Sequence, residues 1–185
     1  MRFTGLCSMI AGVLFLSLSV FYNVSSLSGI GSFVNLLGMA LLALGLVGIY
    51  LRQMNAVGVF GFIVFLIAFI GTILWAGWGW AGAFIVPVLE DLAPELVKDV
   101  PPGLISTGMM ISLLTFFGGL VLFGIVTALK GILPRGAAIL LIIVPILDFI
   151  PYGSAIAQPL AGVALLWLGY AVWKGNYEEA NTGIG

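Results

Sequence analysis

Residues 31–80 read GSFVNLLGMALLALGLVGIYLRQMNAVGVFGFIVFLIAFIGTILWAGWGW. Two apolar runs, about 31–51 and 57–80, flank the short polar stretch Arg52-Gln53-Met54-Asn55. A helix rises about 1.5 Å per residue, so about 20 apolar residues cover the roughly 30 Å hydrocarbon core of a bilayer. Each run reaches that length. The second leaves through Trp75, Trp78 and Trp80, a residue type that favours the membrane–water boundary. The segment reads as a transmembrane helical hairpin.

The same pattern extends outward to both ends of the chain. Residues 5–22 form an apolar run that stops in the polar cluster 23–29. Another runs over 104–129 and meets the basic turn Lys130-Gly131-Ile132-Leu133-Pro134-Arg135, where Pro134 suits the start of a helix. From 136 to 173 the chain stays apolar for too long to be one helix. Phe149-Ile150-Pro151-Tyr152-Gly153-Ser154 breaks it into spans at about 136–150 and 155–173. A cleaved leader over the first run would leave five spans. That run is longer than a leader's apolar core and lacks a small-residue cleavage site, so it is expected to stay. The fold class predicted is an all-α polytopic membrane bundle, one domain over 1–185, with six spans and a frayed polar tail at 174–185.

Residues 87–103 are the one long polar interruption, carrying Glu90, Asp91, Glu95, Lys98 and Asp99. Val88, Leu89, Leu92, Leu96 and Val100 recur there at helical spacing. This predicts a short amphipathic helix lying on the membrane surface between the third and fourth spans, ended by Pro101-Pro102-Gly103. An irregular loop is the competing reading, because Pro94 sits in the middle.

Composition and charge narrow the function classes. Of 185 residues 62% are hydrophobic and 7% charged, too few charges to clothe a water-soluble globule. The net charge of −1 gives no basic footprint for nucleic acid. Histidine is absent, so imidazole catalysis and histidine-ligated metals or haem are not available from this chain. Cys7 is the single cysteine and reads as a small core hydrophobe. Basic residues favour the cytoplasmic side. Arg2, Arg52, Lys130, Arg135 and Lys174 fall on alternate loops, so both termini are expected inside and Lys98 outside. A prokaryotic plasma membrane is the expected host, with lipid as partner and a membrane-protein partner or second copy as further candidates.

Small residues four apart, Ser8/Gly12, Ala68/Thr72, Gly108/Ser112 and Ala157/Ala161, let helices approach closely where lipid offers no hydrophobic drive. One position carries more chemistry. Asp148 lies between Pro145 and Pro151, roughly 20 Å along its helix from Arg135, where a carboxylate near lipid is expensive. Pro145 removes a backbone hydrogen bond at that level. Asn35, Thr72, Thr107 and Gln158 should lie at similar depth, with Tyr152 and the tryptophans roofing them. Together they form a candidate pocket for a proton, cation or amine. The competing reading has Asp148 reaching water or capping the last span at Ser154 or Ala155. No catalytic motif, metal-ligand set or cofactor signature is present, so no enzyme, metal or cofactor is expected. A non-catalytic packing or assembly subunit is the first functional expectation, and a small transporter or channel using Asp148 is the alternative.

Overall fold

The computed structural model describes residues 1–23, 28–98, 103–151 and 153–181. Among them the fold is all-α. The helices are α1 (Arg2–Asn23), α2 (Ser28–Phe84), α3 (Val86–Leu92), α4 (Glu95–Lys98), α5 (Leu104–Lys130), α6 (Arg135–Asp148) and α7 (Ser154–Asn181). Four stretches are long and apolar enough to cross a membrane: Arg2–Phe21, Gly29–Leu92, Leu104–Lys130 and Ala155–Gly175. The bundle is apolar both inside and out. Apolar side chains such as Phe3, Val59, Phe60, Leu104, Leu114 and Leu129 cover its outer surface, as suits a bundle whose solvent is lipid.

The second stretch is not one rod. Gly58 breaks α2 with φ 61° and ψ −158°, a conformation open almost solely to glycine. The arms α2a (28–57) and α2b (59–84) then run back along each other. Tyr50 stacks on Phe65 at 4.5 Å between ring centres, and Phe33 meets Phe84 edge-on at 5.2 Å. Each arm is about 40 Å long. The reversal falls at Gly58 and not at Arg52–Asn55, because the helix carries through that polar run and buries Gln53.

Glycine contacts fix the remaining neighbours. Gly45 and Gly48 of α2a lie on Ser8 and Thr4 of α1. Gly12 of α1 and Gly162 of α7 face each other, so that a Cβ on either would sit 2.6 Å from the other's carbonyl oxygen. Gly5 and Gly169 repeat this contact seven residues along, a spacing that keeps one seam of two helices together. Gly71 and Gly119 close α2b onto α5, and Gly124 closes α5 onto α6. Trp167 of α7 covers Gly136 of α6. The six rods α1, α2a, α2b, α5, α6 and α7 thus form a closed ring in chain order, each antiparallel to its neighbours. Alternation gathers Arg2, Arg52, Lys130, Arg135 and Lys174 at one end, the basic end.

The expected span at about 136–150 corresponds to α6, whose 14 helical residues cover about 21 Å and are not among the four stretches long enough to cross a membrane. Two expectations change. The surface helix at 87–103 is two short pieces: Pro94 has no N–H and disfavours a helical Ala93, which sits at φ −151°, ψ 67°. The expected frayed tail is helical to Asn181. Val24–Leu27, Asp99–Pro102 and Tyr152 lie outside the described residues, so neither the first polar turn nor the Pro101-Pro102 stop is described.

Candidate functional site

The ring encloses a cavity of about 200 Å³ between its middle and the end opposite the basic residues. All six rods line it. Helical spacing points one face of each inward: Asn35, Met39 and Leu42 on α2a, Leu141, Val144 and Asp148 on α6, and Gln158, Ala161 and Leu165 on α7. α1 contributes Phe15, α2b Trp75, and α5 Phe116, Phe117 and Leu120. Three polar side chains therefore converge, a carboxylate from α6 and carboxamides from α2a and α7. Among the described residues, none of the three makes a hydrogen bond to protein.

The short α6 explains how Asp148 reaches this space. Its helix ends at Asp148, where Phe149 caps it through the Ile146 and Leu147 carbonyls. Pro145 lies buried one turn earlier and has no N–H for the carbonyl of Leu141, a residue that lines the cavity. A tight turn at Gly153 starts α7, and the amides of Ile156 and Ala157 bond the Gly153 carbonyl. Asp148 is exposed where it lines the cavity, which agrees with the part of the competing reading that has it reaching water.

Aromatic rings form much of the wall. Trp75 stacks on Phe116 with centres 5.9 Å apart and planes 4° from parallel, and Phe117 packs against both. Phe117 also meets Phe149 edge-on at 5.5 Å, tying the wall to the turn after Asp148. Of the tryptophans expected at the boundary, Trp75 turns inward, while Trp80 is half exposed. A groove of about 230 Å³ between the arms of α2, lined by Ser32, Trp78, Gly79 and Gly82, shares Asn35 and Trp75 with the cavity. A cavity lined by a carboxylate and by Trp and Phe rings is suited to a cation: the charge pairs with the acid and the rings attract it through their quadrupoles.

Two of the expected site residues take no part. Thr72 is fully buried and donates to the Ala68 carbonyl at 2.8 Å; Thr107 is exposed and donates to Gly103 at 2.8 Å. A threonine hydroxyl in a helix readily satisfies itself one turn back, which removes it from a pocket. Tyr152 lies outside the described residues.

The cavity closes toward the basic end. Below Leu42, Leu120, Leu141 and Leu165 the interior is filled by Leu46, Ile49, Phe123, Ala137 and Leu168. Beneath that layer Gln53 Nε2 donates to Thr127 Oγ1 at 2.9 Å, joining α2a to α5, and Gln53 Oε1 is buried with no partner among the described residues. Sequence reading missed this pair by assigning Gln53 to a polar turn. The signal was there: Leu46, Ile49, Gln53 and Val57 continue one helical face.

The chain matches no protein-family model, and neither curated proteins nor solved structures gave a match.

Proposed function

We propose that this chain crosses a membrane six times with both termini in the cytoplasm, and that it binds and carries a small organic cation through a cavity opening to the outside. The observation that carries the reading is the meeting of Asp148, Asn35 and Gln158 in one aromatic-walled cavity to which all six rods contribute. A bundle that worked by packing alone would gain from filling that space with apolar side chains. The cavity therefore moves the balance from a packing subunit to a binder.

In this reading Asp148 supplies the countercharge, Trp75 and Phe116 the cation-attracting faces, and Asn35 and Gln158 hydrogen bonds to a polar group. The role proposed for the cavity is binding and carriage, with no chemical step assigned to its lining. The turn at 149–153 completes the crossing that α6 begins. α3 and α4 then lie along the outer surface, and the exposure of Val88 and Leu92 suits contact with lipid. The five basic residues at the opposite end support the orientation.

The test is a titration of purified protein with tetramethylammonium, read by tryptophan fluorescence, with uncharged neopentyl alcohol as control. Wild type is expected to bind the cation and not the alcohol, and Asp148→Asn to lose binding. Uptake of the cation by proteoliposomes then tests carriage. Equal binding by Asp148→Asn and wild type sinks the proposal and returns the packing reading to first place.

A further inference from the structure

The face of α2 that lines the cation cavity does not stop at its edge. Asn35, Met39 and Leu42 of α2a line the cavity, and Ser32, one turn nearer the start of the helix, lines the neighbouring groove. On α2b the groove takes Trp75, Trp78, Gly79 and Gly82, whose spacing stacks them on one side of a helix. From Trp75 to Gly82 the helix rises about 10 Å, so the groove of about 230 Å³ continues from the cavity toward the end opposite the basic residues. Asn35 and Trp75 line both spaces, which therefore adjoin across these two side chains.

Glycines make the groove. A Cβ on Gly82 would meet nothing within 4 Å, and one on Gly79 would stand 3.7 Å from Asn35 Nδ2, an ordinary contact. Neither glycine is required by close packing, unlike Gly71, where a Cβ would stand 2.6 Å from the backbone of Phe116. Neither has a positive φ, and both lie inside α2, where glycine is a poor helix former. What their bare backbone provides is space beside two partly buried indoles. No charged residue is among the described residues of the wall, so the space suits an apolar group.

We propose that the groove is a second subsite of the cation cavity, and that the ligand is an organic cation bearing one apolar arm. The ammonium lies in the cavity with Asp148, and the arm passes Asn35 and Trp75 to lie along Gly79 and Gly82. Burying such an arm beside aromatic rings stabilises the complex in proportion to the apolar area taken from water. The proposal rests on the cation-binding reading and adds to it the class of ligand.

The experiment compares benzyltrimethylammonium with tetramethylammonium in the fluorescence titration of purified protein. Wild type is expected to bind the benzyl compound about tenfold more tightly. Gly82→Leu places a side chain in the groove, where a Cβ meets open space. It should bring the two affinities to within about twofold of each other, with tetramethylammonium bound as by wild type. Gly79→Ala narrows the same groove and decides the matter if Gly82→Leu does not fold; it should lower the preference about threefold or more. Equal affinity of wild type for the two cations overturns the proposal and leaves the cation site standing. So does a preference unchanged in Gly82→Leu, or in Gly79→Ala where that variant alone folds, since the arm would then lie elsewhere. Failure of the underlying reading has a different signature: neither cation binds, or Asp148→Asn binds both as wild type does, and this proposal falls with it.

Discussion

Asp148 and Gln53 are both polar side chains inside an apolar ring, and their surroundings give them different work. Asp148 faces a cavity with room for a ligand, whereas Gln53 is packed to 1% exposure against Thr127. Replacing Asp148 by Asn keeps the shape and removes the charge. Tetramethylammonium has no N–H to donate, so the loss is Coulombic. Two unit charges about 5 Å apart attract by about 1 kcal/mol in water and about 3 kcal/mol near a protein surface, and affinity should fall about 5- to 200-fold in the fluorescence titration. Asn35→Leu and Gln158→Leu remove neutral groups and should change the affinity of that ammonium about fivefold or less, with larger losses for a ligand bearing a hydroxyl. Thr72→Val and Thr107→Val should leave it unchanged, because both hydroxyls are spent on their own helices. At Gln53 the readout is stability. Thr127→Val strips the amide of its partner and should cost about 1–3 kcal/mol in detergent denaturation. Gln53→Leu combined with Thr127→Val should recover most of that. A double variant as unstable as Thr127→Val alone would mean that packing, and not the orphaned amide, sets the cost.

At the scale of elements, glycines decide where rods end and how closely they meet. Gly58 has nothing within 4 Å of where a Cβ would stand, so substitution there tests the backbone alone. Gly58→Ala should destabilise the bundle by about 1–3 kcal/mol, since its φ and ψ suit glycine only. Gly118 of α5 also has open space around it but is helical, and Gly118→Ala should be neutral or stabilising by up to about 1 kcal/mol. Thermal denaturation of both variants in one detergent makes the comparison, and similar values for the two would remove Gly58 as the hinge of α2.

The contrast also marks what could be read from residues alone. Apolar runs about 20 residues long located the rods, and the basic turn announced that 31–80 folds back. The reversal point was hidden, because the face formed by Leu46, Ile49, Gln53 and Val57 carries the helix through polar Arg52–Asn55. Asp148 was legible as a costly charge, and Asn35 and Gln158 as polar groups at matching depth. Depth did not reveal that Thr72 and Thr107 bond their own carbonyls, nor that Trp75 turns away from the boundary. Those outcomes depend on rotamers and neighbours, which periodicity does not encode.

For the whole molecule, orientation decides the face to which the cation cavity opens, and one labelling experiment tests it. The ring alternates, so Asn55, beside the hinge, and Glu90, on α3, stand at opposite ends, and both are exposed. Cys7, the natural thiol, is buried at 2% exposure and gives little background. An impermeant maleimide added to intact cells should label Glu90→Cys and spare Asn55→Cys, which should react only after the membrane is opened. The inverse pattern would turn the cation cavity toward the cytoplasm and the five basic residues outward, against the rule that favours basic residues inside. Labelling of both positions from one side would be more damaging than inversion. It would mean that α2b does not cross the membrane, and the closed ring that brings Asp148, Asn35 and Gln158 together could not stand in a bilayer.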